Sequence, residues 1–133
     1  MSHLTVSPIK ILEIDALRRA AQSFGAQFAE KKTFHSYQGD SKCEYVIALP
    51  QVNYEIGIVR NKDNSFSLSH DPYGHSGSHH DGHKLVERFG KNLGLLSQAY
   101  SRQVVMAQAR KKGFMITERR LPSGELRLQL LSV

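Results

Sequence analysis

Cysteine is nearly absent from this sequence, which has only Cys43 among its 133 residues. A single thiol excludes an internal disulfide, a zinc site built from several cysteines and an iron–sulfur cluster held by one chain. Cys43 begins an apolar run that continues to Leu49 and is typical of a buried strand, and no motif that would activate a thiolate surrounds it. We therefore expect Cys43 to lie in the core.

Long hydrophobic runs are also missing. No apolar stretch approaches the ~18 residues that a membrane-spanning helix needs. The N-terminus lacks the basic start and apolar centre of a secretory signal. We expect a cytoplasmic protein with no membrane partner.

Recognisable catalytic motifs are a third absence. The sequence has no Ser-His-Asp order, no dinucleotide fingerprint and no HExxH arrangement. Gly74, Gly77 and Gly82 do not form a phosphate-binding loop, because no Gly-Lys-Ser/Thr follows them. The sequence thus predicts no catalytic residues and no organic cofactor, and it favours a protein that is not an enzyme.

The composition is ordinary for one globular domain over residues 1–133, with 40% hydrophobic and 23% charged residues. The net charge is +6 at pH 7. This excess favours acidic partners, nucleic acids among them, and carries no information about the fold.

Local patterns in the first half predict a strand, a helix and an antiparallel meander. Leu4–Ile11 alternates at first, and Pro8 places that strand at a sheet edge or gives it a bulge. Asp15 is the predicted N-cap of a helix over Ala16–Phe24, with Gly25 at its C-terminal end. A strand over Ala26–Glu30 and a polar loop over Lys31–Lys42 follow. Three more strands are predicted over Cys43–Leu49, Tyr54–Arg60 and Ser65–Ser69, and a turn over 61–64 joins the last two.

The second half predicts a long helix and a hairpin. Apolar residues recur every three or four positions over about six helical turns, and Gly113 ends the pattern. These apolar residues are Leu85, Phe89, Leu93, Leu96, Tyr100, Val104 and Ala107. Alternating residues on both sides of a turn over 121–124 then predict a hairpin whose inward set is Phe114, Ile116, Leu126, Leu128 and Leu130.

Together these elements predict an α+β fold. We expect a two-layer sandwich with a mostly antiparallel sheet, a short N-terminal helix, a long C-terminal helix and a closing C-terminal β-hairpin. The hairpin is expected to complete the sheet and to cover the long helix, because its inward set would otherwise be exposed.

Histidine and aspartate are concentrated in the segment before the long helix. Within fourteen residues lie His70, Asp71, His75, His79, His80, Asp81 and His83. Imidazoles and carboxylates are good zinc ligands, so His75, His79 and His83 are candidates for a metal site. The alternative is a solvated loop in which histidines happen to cluster.

Basic residues are densest near the end of the long helix. Arg102, Arg110, Lys111 and Lys112 are candidates for a surface that binds nucleic acid or a protein partner. The alternative is that cations in a last helical turn complement the helix dipole.

The opening Met1-Ser2-His3 and the C-terminal third carry a family resemblance. In the C-terminal third, Arg110-Lys111-Lys112-Gly113 is followed by Phe114-Met115-Ile116-Thr117-Glu118 and by Pro122-Ser123-Gly124-Glu125-Leu126-Arg127-Leu128. This order resembles the small proteins called hypothetical chloroplast open reading frame thirty-five and their cyanobacterial and other bacterial relatives. The resemblance implies an accessory or adaptor role beside a small ferredoxin or a ring-forming ATPase, and it implies no catalytic residues.

Three functions therefore stay open. The sequence favours a non-catalytic accessory protein that binds another protein. A nucleic-acid-binding domain and a metal-binding protein that uses the histidine-rich loop over 70–83 are the alternatives.

Overall fold

A computed structural model of the chain describes residues 4–73 and 81–132, and describes the backbone alone for most residues of the two C-terminal strands. Nine strands, three α-helices and a short 3-10 turn at Lys91–Leu93 make up the described part. In chain order the strands and α-helices are β1 (Thr5–Val6), α1 (Ile14–Ser23), β2 (Gln27–Glu30), β3 (Thr33–Ser36), β4 (Gly39–Lys42), β5 (Tyr45–Ala48), β6 (Ile56–Arg60), β7 (Phe66–His70), α2 (Asp81–Phe89), α3 (Gly94–Lys111), β8 (Phe114–Arg120) and β9 (Leu126–Ser132).

Five strands form the central sheet, in the order β1-β7-β6-β5-β2 with every neighbouring pair antiparallel. The predicted hairpin turn is confirmed, because Asn61 N–H donates to the carbonyl of Ser65 at 2.7 Å and β6 pairs with β7 on either side. β1 lies at one edge, two residues before Pro8, as the missing donor of proline requires. β2 is the opposite edge.

The helices cover one face of this sheet and bury the core. One apolar cluster contains alternate residues of the sheet together with residues from all three helices. The helix residues are alanines and Leu17 of α1, Leu85 and Phe89 of α2, and Leu96 of α3. The sheet residues in this cluster include Ile47, Ile56, Ile58, Phe66 and Leu68. Helices packed on a largely antiparallel sheet confirm the predicted α+β class.

The start of α1 differs from the prediction. Asp15 lies inside the first turn, where its carboxylate accepts from Arg18 at 2.7 Å, and the N-cap position is Glu13 without a side-chain cap. The hydroxyl of Tyr100 accepts hydrogen bonds from the two amides just before the helix, at 2.9 Å from Leu12 N and 3.1 Å from Glu13 N. The predicted end is confirmed, since Gly25 has a φ of 75°.

The segment Lys31–Lys42, predicted as a loop, is a second hairpin built from β3 and β4. Its residues are mostly polar, so hydrophobic alternation did not reveal it. The hairpin packs on the sheet face opposite the helices, with the ring of Phe34 directly over Gly57. A Cβ at Gly57 would lie 2.2 Å from Cδ1 of Phe34, so glycine is required for this contact.

The predicted helix from Leu85 to Ala107 is broken in two. Gly90, Asn92 and Leu93 have φ values of 85°, 53° and 58°, which no α-helix accommodates. The long C-terminal helix therefore begins at Gly94. Periodicity failed here because the apolar spacing continues across the break, and Phe89 before it and Leu96 after it are both fully buried.

The C-terminal hairpin does not complete the central sheet, contrary to the prediction. β8 and β9 pair with each other from Phe114↔Ser132 to Arg120↔Leu126 and form a separate two-stranded sheet. The predicted inward side chains lie outside the part of the structure that is described. Within the described ranges, no helix has the length and apolar character to cross a membrane.

Candidate functional site

The metal site predicted for the histidine-rich segment stays a prediction, because His75 and His79 lie outside the described residues. His83 is exposed in the first turn of α2. Across residues 4–73 and 81–132, no three His, Cys, Asp or Glu side chains are arranged to hold a metal ion. Asp71 is buried and accepts hydrogen bonds from the backbone of Tyr37 at 3.3 Å and of Tyr73 at 3.0 Å.

The predicted basic residues do not converge on one site. Arg110, Lys111 and Lys112 are exposed at the end of α3. Lys111 lines a hollow between α1 and α3 that also contains Glu13 and Asp15. Arg102 borders a different hollow, beside Leu95 and Arg120.

A larger groove lies where β2 passes into β3 and β4 passes into β5. It has a volume of about 920 Å³, and we call it the basic groove. Its lining residues are Glu30, Lys31, Lys32, Thr33, Lys42, Cys43, Glu44, Tyr45 and Arg60.

Lys31 and Glu55 hold the hairpin side of the basic groove in place. Glu55 is nearly buried, and its two carboxylate oxygens accept from Lys31 Nζ at 2.9 Å and from the backbone N–H of His35 at 2.9 Å. Glu55 N–H in turn donates to the carbonyl of His35 at 3.0 Å. The hydrogen bond to Glu55, together with its negative charge, raises the pKa of Lys31. The positive charge of Lys31 is therefore already compensated by Glu55.

Arg60 and Glu44 form a second paired set. The Arg60 guanidinium donates from Nε and Nη2 to the two oxygens of Glu44 at 2.8 and 2.9 Å. These hydrogen bonds lower the pKa of Glu44 and raise the pKa of Arg60. The same guanidinium lies 4.6 Å from the ring centroid of Phe66.

Lys32 and Lys42 are exposed, and neither forms an ion pair with any described residue. Lys42 ends β4 and pairs with Thr33, the first residue of β3, and Lys32 directly precedes Thr33, so the two lysines lie near each other in the hairpin. They supply the uncompensated positive charge of the basic groove.

Cys43 is half-buried at this groove and outside the core cluster, so its prediction as a core residue is wrong. The strand begins only at Tyr45, after Cys43 N–H has bonded to the carbonyl of Lys32 at 2.9 Å. Its thiol lies 3.2 Å from the carbonyl of Lys31. Burial, followed by the charge of Glu55, raises the pKa of Cys43, so the thiol is protonated and unreactive at neutral pH.

Three aromatic rings lie in or beside the groove, and two of them, those of Phe28 and Phe66, are covered by guanidinium groups. Phe28 is 5.3 Å from Tyr45, and Tyr45 is 5.9 Å from Phe66. Arg18 lies 5.2 Å from the centroid of Phe28, and Arg60 covers Phe66. The guanidinium groups occupy ring faces that stacking of nucleic acid bases would need.

Sequence reasoning missed the basic groove because its cations are distributed between positions 31 and 60. They form no cluster along the chain, and the segment that carries three of them was predicted as a loop. A signal was present in the polar alternation of Thr33, His35 and Ser41 around Gly39, which indicates a hairpin.

A family model described as a protein of unknown function, DUF1257, matches residues 20–128. This range contains the whole basic groove. No curated protein and no solved structure matches the chain.

Proposed function

Because this chain belongs to the DUF1257 family, whose description assigns no activity, we propose its function from the basic groove: it is a non-catalytic accessory protein that binds an acidic segment of another protein there. The observation that carries this proposal is the pair of uncompensated cations, Lys32 and Lys42, that line the groove.

Charge complementarity supports this choice of partner. Four cations and two carboxylates line the groove, and Glu44 is already paired with Arg60. A carboxylate-rich segment therefore gains attraction to Lys32 and Lys42 without displacing an existing ion pair. The groove volume of about 920 Å³ accommodates several residues of an extended chain.

A protein segment fits this groove better than a nucleic acid does. Guanidinium groups cover the rings of Phe28 and Phe66, so these rings offer no open stacking platform. The exposed cations Arg110, Lys111 and Lys112 form the competing candidate for phosphate binding.

We also propose that the chain is related to a narrower group of small proteins that its sequence resembles. Resemblance to the hypothetical chloroplast open reading frame thirty-five proteins supports a cytoplasmic accessory role. It also suggests a small ferredoxin or a ring-forming ATPase as the owner of the acidic segment.

The test uses a synthetic peptide of about twelve residues in which glutamate alternates with threonine, so that all carboxylates share one face of an extended chain. Binding to the full-length protein is measured by fluorescence anisotropy across a salt series. The K32Q/K42Q variant should bind about threefold to tenfold more weakly than the wild type and should depend less on salt.

The R110Q/K111Q variant is the matched control, because it removes the same charge from a different surface. It should bind the peptide within about twofold of the wild type. A single-stranded DNA of equal charge is measured in parallel. The proposal is wrong if both variants lose peptide binding equally, if the peptide does not bind, or if the DNA binds more tightly and R110Q/K111Q abolishes that binding.

A further inference from the structure

The basic groove continues into the free edge of the central sheet. β2 is the last strand in the order β1-β7-β6-β5-β2, and its only partner among the described residues is β5. Gln27, Ala29 and Glu30 of this strand are exposed. Glu30 ends β2 and also lines the groove, so the edge and the groove form one continuous surface.

The backbone of β2 presents unpaired groups along this edge. In an antiparallel ladder, alternate residues direct their N–H and C=O groups toward the partner strand. Lys31 N–H donates to the carbonyl of Glu44 at 3.2 Å, so the backbone groups of Lys31 face β5. Counting back by two residues, the backbone groups of Ala29 and Gln27 also face β5. The backbone groups of Phe28 and Glu30 therefore point away from β5. Within the described residues, neither makes a hydrogen bond outside the β2–β5 ladder.

The other edge of the sheet lacks these features. β1 has two residues, and Pro8 follows it without an N–H donor. No lysine or arginine lies within β1. An acidic strand therefore has a reason to select β2, where cations lie at the end of a free edge.

We propose that the acidic partner segment binds as an added strand along β2. It pairs with the backbone of Phe28 and Glu30 and places its carboxylates on Lys32 and Lys42. This inference rests on the proposed function and specifies its mode. Main-chain hydrogen bonds supply sequence-independent affinity in such strand addition, and the lysines select acidic segments.

The experiment uses the same glutamate–threonine peptide in two forms that are N-methylated at alternate residues, one on the glutamates and the other on the threonines. Only one edge of an added strand faces β2, so one form should lose at least about tenfold in affinity while the other binds like the unmodified peptide. The peptide cannot escape by sliding one residue, because that movement would turn every glutamate away from the lysines.

Amide hydrogen exchange of the protein provides a second readout. On binding of the unmodified peptide, the amides of Phe28 and Glu30 should exchange at least about tenfold more slowly, whereas the amide of Val6 on the other edge should not change. The E30Q variant should bind about twofold to fivefold more tightly, because it removes the carboxylate from the path of the peptide.

The two proposals fail in different ways. If the unmodified peptide binds through Lys32 and Lys42 but both methylated forms bind equally well, strand addition is wrong and acidic-segment binding stands. If the unmodified peptide does not bind at all, both proposals are wrong. Slower exchange at Phe28 and Glu30 with loss of binding by one methylated form establishes strand addition.

Discussion

At the scale of single residues, the hydroxyl of Tyr100 accepts a hydrogen bond from Leu12 just before α1, although the two residues are 88 positions apart in the chain. Replacement of Tyr100 by Phe leaves the N–H groups of Leu12 and Glu13 without this acceptor, and we expect a loss of about 1–3 kcal/mol in the free energy of unfolding. Urea denaturation measures the change. Tyr73→Phe is the control, since Tyr73 is exposed, and it should change the stability by less than about 0.5 kcal/mol. Equal effects of the two substitutions would contradict the capping role.

His70 makes stability depend on pH. Its ring is fully buried, and burial lowers its pKa by more than the backbone of Thr5 and the charge of Asp71 raise it. The pKa of His70 is therefore below 6.5, and the folded state keeps the ring neutral. The unfolded chain binds a proton as the pH falls below about 6.5, and stability decreases there by at most about 1.4 kcal/mol per pH unit.

Denaturation of the wild type and of His70→Gln should be compared between about pH 7.5 and about pH 5. The wild type should lose stability faster than the variant across this window, because Gln does not titrate. Parallel curves for the two proteins would show that His70 is not the group responsible.

At the scale of elements, the contact of β3 with β6 depends on the absence of a side chain at Gly57. Gly57→Ala should destabilise the protein by about 1–3 kcal/mol, because the new methyl group overlaps the Phe34 ring. Gly94→Ala is the matched control: an added Cβ there has no neighbour within 4 Å, and the φ of −63° is helical. Gly94→Ala should be neutral or stabilising by up to about 1 kcal/mol.

The Phe34→Leu background gives a further check on this contact. A smaller side chain leaves more room above Gly57, so the penalty of Gly57→Ala should shrink in the double variant. A penalty that is unchanged in that background would mean that the Phe34 ring is not the obstacle. Thermal denaturation of the four proteins measures the coupling.

Elements with local signals were predictable from the sequence, and elements decided by distant contacts were not. Gly25 after the apolar face of α1 and the turn at 61–64 are marked by neighbouring residues. The break at Gly90 and Asn92 interrupts no apolar spacing, so periodicity could not detect it. The basic groove was equally invisible, because Lys32, Lys42 and Arg60 come together only after β3 has paired with β4 and β5 with β6.

At the scale of the whole molecule, the C-terminal hairpin is separate from the central sheet in its hydrogen bonding. We therefore expect a chain that ends at Gly113 to keep the five-stranded sheet and to unfold cooperatively. Circular dichroism during thermal denaturation checks this, with the full chain as the reference. A broad, non-cooperative transition in the shortened chain would show that the hairpin is needed for the core.

The link between Tyr100 and the start of α1 also bears on synthesis of the chain. Leu12 and Glu13 leave the ribosome early, but their acceptor follows 88 and 87 residues later. β1 likewise waits for β7, since Thr5 pairs with His70. The segment around α1 is thus translated well before the residues that complete it, and during that interval the growing chain exposes the apolar face of α1 to chaperones and to neighbouring nascent chains.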